Sequence, residues 1–292
     1  MNNQSAAFAF VKTLGQELSH QEFDIPPFPD IAIKIRDAMS NPNVNIDMIS
    51  RIIMADPVLT SRLIRMANSA LLRRGTIEIT DLKTAVGRIG LELVRNTVVS
   101  MAMDNTFKAP AGSILHERID EVRRHSSHVA ALAYILAKRQ PGFENPDDAM
   151  LAGLLHDIGK FYILNRVQDF PALFDDPEQL EELVASWHTG VGRAIVESWG
   201  FPQHIAEAVD EHEALERNHF TSPDVADVVL VANLVENVKD LPEDAMPDFE
   251  DIPACKRMRM RHDTMRKILE EFAEEIASME QALGGYNPRS SA

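Results

Sequence analysis

Apolar residues recur three and four positions apart along nearly the whole chain, not two apart, which places them on single faces of successive helices. The pattern predicts an all-α protein. A first helix is expected from about Ser5 to Ser19, with Phe8, Val11, Leu14, Gly15 and Leu18 on one face, and Ile25-Pro26-Pro27-Phe28-Pro29 ends it. Shorter helices follow. Their stripes are Ile31, Ile35, Ala38 and Met39, then Ile46, Ile49, Ile52 and Ile53, then Leu59, Leu63, Met66 and Ala67 after Asp56-Pro57, then Leu82, Ala85, Val86 and Ile89. The run Asn96 to Met103 contains β-branched Val98 and Val99, but it lacks alternation and a hairpin partner, so helix is expected there as well.

Lys108, Pro110 and Gly112 mark a break within Phe107 to Gly112, read as the join between two helical lobes. Beyond it Leu115, Ile119, Val122, Val129, Leu132 and Leu136 share a stripe with His125. A helix of about Pro146 to Asp157 comes next. A long one then carries Leu180, Leu183, Val184, Trp187, Val191, Ile195 and Trp199, with His188 on the same side, and Gly200 and Pro202 close it. Ile205, Ala208 and Val209 lead to His212, and Ser222-Pro223 is expected to start a helix bearing Val225, Val229, Ala232 and Asn233. The expected organisation is an N-terminal helix (1–22), an N-terminal helical lobe (23–108), a second lobe (109–240), and a C-terminal loop and amphipathic helix (241–292). In that last helix Met265, Ile268, Leu269, Phe272, Ile276, Met279 and Leu283 form one stripe, expected to pack on the protein's own core rather than on a partner.

Charge removes one class of partner. A net charge of −16 repels a phosphodiester backbone, so nucleic acid is not expected as a ligand. The local basic run Lys256-Arg257-Met258-Arg259-Met260-Arg261-His262 reads as a solvated helix start beside Asp244, Asp248, Glu250 and Asp251. No apolar run is long enough to cross a bilayer, and Met1-Asn2-Asn3-Gln4 lacks the basic region of a secretory leader; a cytoplasmic protein without a membrane partner is expected. Cys255 is the single cysteine, so any metal must be held by histidine, carboxylate or amide groups.

Those groups exist. His125, His156, His188 and His212 fall on the apolar faces of separate predicted helices, together with Asp157 and Asn233. Each histidine alone reads as a hydrogen-bonded core residue. Together they form the convergent nitrogen and oxygen donor set that a divalent Mn, Fe, Zn or Mg ion requires inside a helical bundle. Lys160, one turn beyond Asp157, would then meet a phosphate.

His125, the His156-Asp157 pair in LLHDIGK, His188 and His212 resemble the HD superfamily of metal-dependent phosphohydrolases. Asp56-Pro57-Val58-Leu59, the run Ala67-Asn68-Ser69-Ala70 and the segment Ala85-Val86-Gly87-Arg88-Ile89-Gly90 narrow this to a resemblance to the HDOD domain, the HD-related output domain of bacterial signalling proteins. Arg124-His125-Ser126 and Trp199-Gly200-Phe201-Pro202 are similar to its later motifs, and the likeness spans about Phe23 to Asp240. The resemblance implies an N-terminal helical lobe packed on an HD-like bundle, and a signalling or scaffold role through contact with a protein partner rather than an enzyme. A second copy of the chain is another candidate partner. The alternative it implies is a phosphohydrolase acting on a nucleotide or phosphomonoester, with the ion on His125, His156, Asp157 and His188 or His212; a third is an adaptor that binds cyclic di-GMP without opening it. The position resembling the last HD aspartate is Asn233, which brings a carbonyl oxygen but no charge. The stretch Glu211 to Glu216 lacks the segment that marks HD-GYP phosphodiesterases, and Gly284 to Pro288 reads as a frayed terminus rather than that motif. Asn68-Ser69 reads as a polar brace at a turn.

Overall fold

The computed structural model describes residues 3–20, 28–70, 72–73, 75–110 and 112–284. Among them there is no strand, and the chain is all-α as the spacing predicts. The first helix, α1 (Asn3–His20), is followed by an N-terminal lobe of α2 (Asp30–Met39), α3 (Ile46–Ile53), α4 (Pro57–Ala67), α5 (Leu82–Ile89) and α6 (Leu91–Thr106). Short polar caps set these starts: the Asn45 side chain accepts from the Met48 N–H, Asp56 from Val58 and Leu59, and Asp81 from Thr84. Pro57 occupies the first turn of α4, where its missing N–H costs nothing. Asn68 is the expected brace. Its Nδ2 donates to the Ile64 and Ile79 carbonyls at 3.0 and 2.8 Å, and its Oδ1 accepts from the Ile79 N–H at 2.9 Å.

The HD-like lobe comprises α7 (Ile114–Arg139), α8 (Pro146–Leu155), α9 (Ile158–Arg166), α10 (Pro177–Ser198), α11 (Gln203–Glu211) and α12 (Val225–Val238). Helix α6 joins the lobes: it packs on α2, α4 and α5 on one side and on α8 on the other, and every residue from Val98 to Met103 is buried. Packed on both sides, the β-branched pair Val98-Val99 is buried within a helix and needs no sheet partner. Asn96, fully buried in this seam, donates from Nδ2 to the Asp147 carbonyl at 2.8 Å. At the other end of the seam Arg36 Nη1 donates to the Trp199 carbonyl at 2.7 Å, and Phe28 packs on the Trp199 ring at 5.0 Å. Helices α13 (Pro253–Met258), α14 (His262–Glu271) and α15 (Ala273–Ala282) complete the chain, and α15 lies against both α7 and α4.

Several local expectations change. In α1 the inward residues are Phe10 and Leu14, while Phe8 is 73% exposed. The helix is turned so that Phe10 meets Phe170 edge-on and Glu17 receives hydrogen bonds from Tyr162 and Arg166, an inward polar position that an apolar stripe cannot show. Leu18's side chain, Ile25 to Pro27 and the tail from Gly285 onward lie outside the described residues. Helix α8 stops at Leu155, so His156-Asp157 forms the link into α9 rather than the last turn of one helix. The cap of α12 is Asp224, two residues after Ser222, in a reciprocal box with Asp227. The C-terminal stripe is split at Phe272 into α14 and α15, and Met265, Ile268, Ile276 and Met279 are buried against the core. The basic run straddles the end of α13 and the start of α14. Arg257, together with Arg217 and His219, closes on the buried Asp227 carboxylate, so it is an interior ion pair and not part of a solvated start.

Two glycines let the helices that carry the site approach. A Cβ on Gly153 of α8 would lie 2.8 Å from the Ala130 Cα of α7, and one on Gly159 of α9 only 1.9 Å from the His188 carbonyl oxygen of α10. No side chain fits at either crossing.

Candidate metal centre

Helices α7 to α12 deliver the predicted donors to one point. His125 comes from the middle of α7, His156 and Asp157 from the α8–α9 link, His188 from α10, His212 from the C-terminal end of α11 and Asn233 from α12. The side chains of His156, Asp157, His188 and His212 are 0 to 1% exposed. The imidazoles pack ring on ring: His125 and His156 are 5.1 Å apart, His156 and His212 4.7 Å, and His188 and His212 5.2 Å.

Backbone carbonyls fix how the three buried rings are turned. His156 Nδ1 lies 2.8 Å from the Gly153 oxygen, His188 Nδ1 2.9 Å from Val184 and His212 Nδ1 2.8 Å from Val209. A carbonyl only accepts, so each Nδ1 carries the proton and donates, and each Nε2 presents a lone pair. These Nε2 atoms converge on Asp157. The separations are 3.4 Å from His156 to Oδ2, 3.7 Å from His188 to Oδ1 and 3.5 Å from His212 to Oδ1. His188 Nε2 and His212 Nε2 face one another at 3.3 Å, and His156 Nε2 is buried without a hydrogen-bond partner. Lone pairs turned toward each other and toward a carboxylate, away from water, are what metal ligands with carbonyl-anchored second nitrogens look like. The donor set therefore fits a divalent ion.

His125 is placed differently. Its Nε2 lies 3.0 Å from Asn233 Oδ1 and 3.7 Å from Asp157 Oδ2, and Asn233 Oδ1 also accepts from Asn237 Nδ2 at 3.3 Å. Since an amide oxygen cannot donate, His125 Nε2–H donates to it. In this arrangement His125 braces Asn233 instead of offering a lone pair on that nitrogen.

Burial lowers the basicity of His125, His156 and His212, although the Asp157 charge opposes this at each. Burial on its own would raise the Asp157 carboxyl, but His156, His212 and Lys160 around it together hold it well below the usual carboxylate range. The result is an anionic oxygen among neutral nitrogens, the protonation state that metal binding needs. Lys160 Nζ lies 2.9 Å from Asp157, at the edge of a cavity of about 330 Å³ that reaches the surface past Arg118, Glu181 and Asn237.

Sequence reasoning passed over Glu213. Its Oε1 is 3.3 Å from His188 Nε2 and 3.8 Å from both His212 Nε2 and Lys160 Nζ. Its contact with the His188 ring, with His212 and Lys160 beside it, pulls its carboxyl down to about 2 despite partial burial. The one available signal was its adjacency to His212, in a segment otherwise exposed.

Comparison with known proteins bears on the family and the fold. The family model described as the HDOD domain matches residues 25–215. An uncharacterised protein of Treponema pallidum (strain Nichols) is 24% identical over 273 residues, covering 87% of this chain and 51% of its own length; the chain thus spans about half of the curated relative it matches. Among solved structures, a Shewanella amazonensis SB2B protein named provisionally as a metal-dependent phosphohydrolase superposes with a TM-score of 0.82 at 25% identity, over 96% of this chain and 99% of that one. An HDOD domain protein of unknown function from Geobacter sulfurreducens gives 0.66 at 25% identity, over 93% and 96%. A Marinobacter aquaeolei VT8 protein named provisionally for signal transduction shares the fold, with a TM-score of 0.63 at 18% identity over 97% of this chain and 66% of that one. With the family model covering well over half of its length, this chain belongs to the HDOD domain family.

Proposed function

We propose that this protein is a regulatory HDOD module whose HD-like lobe holds a divalent cation and receives a phosphorylated ligand at the cavity above it, passing occupancy to a protein partner. One observation carries the reading: three buried imidazoles anchored through Nδ1 leave their Nε2 lone pairs converging on a buried, ionised Asp157. A core without a cation would gain nothing from that arrangement, because facing lone pairs repel. Lys160 neutralises part of the Asp157 charge and extends to the cavity wall, where it meets an anionic ligand. Arg118, now paired with Glu181 at 2.9 Å, is a second cation at the mouth. Family membership supports the signalling side of the reading.

A metal-dependent phosphohydrolase is the second reading, favoured by the open cavity directly over the centre and by the provisional name of the Shewanella neighbour. A bound divalent ion would supply Lewis acidity, polarising a phosphoryl oxygen and activating water. Lys160 would hold the phosphate against it.

Metal analysis of protein purified without chelator tests the shared premise. We expect near-stoichiometric Mn, Fe or Zn in the wild type and its loss in Asp157→Ala; metal absent from both would overturn either reading. A phosphomonoesterase and phosphodiesterase screen on the metal-loaded protein then separates them. Binding of a phosphorylated ligand without turnover supports the regulatory module, and metal-dependent turnover replaces it with the hydrolase.

A further inference from the structure

The donors form two pockets on either side of Asp157, and they are not equivalent. The outer one, toward Oδ2, contains His125, His156 and Asn233, and its amide has no charge to offer. The His125 to Asn233 hydrogen bond also occupies the His125 Nε2. The inner pocket, toward Oδ1, contains His188 and His212, both with Nδ1 committed to backbone carbonyls and Nε2 free to coordinate.

Glu213 stands at this inner pocket. A tetrahedral ion with bonds of 2.0–2.2 Å has ligand-to-ligand edges of about 3.3–3.6 Å. Five of the six edges of the set His188 Nε2, His212 Nε2, Asp157 Oδ1 and Glu213 Oε1 are 3.3 Å between the histidines, 3.3 and 3.8 Å from Glu213 to them, and 3.7 and 3.5 Å from Asp157 to them. Each of the two carboxylate oxygens thus lies 3.3–3.8 Å from both imidazole Nε2 atoms, within reach of an ion seated between them. The charges also match. Two carboxylates with two neutral imidazoles balance a divalent cation, whereas the outer pocket offers Asp157 alone.

Resting on the metal-centred reading above, we infer that the cation occupies the inner pocket, and that Glu213 is its fourth ligand, supplying the negative charge that Asn233 does not. Glu213 is 43% exposed at the cavity wall, so the shell is completed from the ligand side and can open there. A phosphate oxygen arriving beside Lys160 competes with Glu213 for the ion.

Titration of Co²⁺ into the metal-free full-length protein tests this, with affinity read by calorimetry and geometry by the visible absorption of the ion. Tetrahedral Co²⁺ absorbs far more strongly than six-coordinate Co²⁺. We expect an intense tetrahedral spectrum in the wild type. Glu213→Gln should weaken binding by at least the roughly 10- to 100-fold that loss of a supporting group costs, with a fall in absorption. Asn233→Ala should change neither by more than about twofold, and circular dichroism should show both variants folded. Unchanged binding in Glu213→Gln with a large loss in Asn233→Ala would place the ion in the outer pocket and overturn the inference while leaving the metal-centred reading in place. No Co²⁺ binding in the wild type would remove both together.

Discussion

His125, His156 and His212 each pass from water, where an imidazole titrates near 6.5, into surroundings that favour the neutral ring. Burial is the main cause at each. The consequence for stability follows from which state binds protons. Below about pH 6.5 the unfolded chain takes up protons that the folded centre refuses, so stability falls as pH falls, by at most about 1.4 kcal/mol per pH unit for each histidine. Asp157 acts elsewhere: its folded value lies well below 3.8, so its contribution is intact above 3.8 and is lost only as pH drops further toward the folded value. Between pH 7.5 and 5 the metal-free protein should therefore lose thermal stability through its histidines, and His156→Gln should show a shallower slope. Thermal melts across that range check this, and a slope identical in the variant would contradict it. At this scale the sequence was informative about His156-Asp157, a pair flanked by apolar residues that can only point inward. It said little of Glu213, because an acidic residue just past a helix end looks solvated until His188, 25 residues earlier and on another helix, is brought to 3.3 Å from it.

Helices place those residues, and the tightest placement is the crossing of α9 and α10. Gly159 lies in the first turn of α9, directly after the His156-Asp157 link, and its hydrogen faces the His188 carbonyl and the Gly192 nitrogen. Adding a methyl group there drives a carbon to 1.9 Å from a backbone oxygen. Backbone cannot swing aside as a side chain can, so the helices must separate, and overpacking of this kind costs about 3 kcal/mol or more. Gly159→Ala should lower the unfolding free energy by that order and should weaken metal binding as well, since the displacement moves His188 away from Asp157. Gly190→Ala on α10, where a Cβ meets nothing within 4 Å, is the matched control and should leave metal affinity unchanged. Chemical denaturation with metal titration of the two variants decides it; equal behaviour would mean the crossing does not set the site. Stripe periodicity predicted most of these helices and their inward histidines, because both depend on the same 3.6-residue repeat. Ends were less legible. Asp224 rather than Ser222 caps α12 because its carboxylate exchanges hydrogen bonds with Asp227, a reciprocal choice that composition near the helix start does not single out. Arg257 looked solvated in a basic run, yet the same Asp227 draws it inside from 30 residues away.

At the scale of the molecule, the question is whether the lobes behave as one body, since a regulatory reading requires that ligand at the centre be felt elsewhere. Helix α6 is buried over most of its length between α2, α4 and α5 on one side and α8 on the other, leaving no solvated hinge along that seam. Helix α15 ties α7 to α4, and the Ser100 hydroxyl donates to the Leu283 carbonyl beneath it. Arg123 of α7 and Arg62 of α4 share the Asp104 carboxylate of α6, at 2.7 and 3.0 Å. Separating the lobes would expose the apolar flank of α6 and strand Asn96, so partial unfolding of one lobe is costly to the other. The full chain should accordingly unfold in urea as a single transition, with the fluorescence of Trp187 and Trp199, both in the HD-like lobe, following the same curve as far-UV circular dichroism, which reports every helix. Removing residues 273–292 deletes α15 and one of the ties, and should lower the midpoint while the α6 seam keeps the two signals coincident. Separate midpoints for fluorescence and circular dichroism in the full chain would mean that the lobes fold independently, and a ligand at Asp157 would then have no rigid path across α6 to the N-terminal lobe.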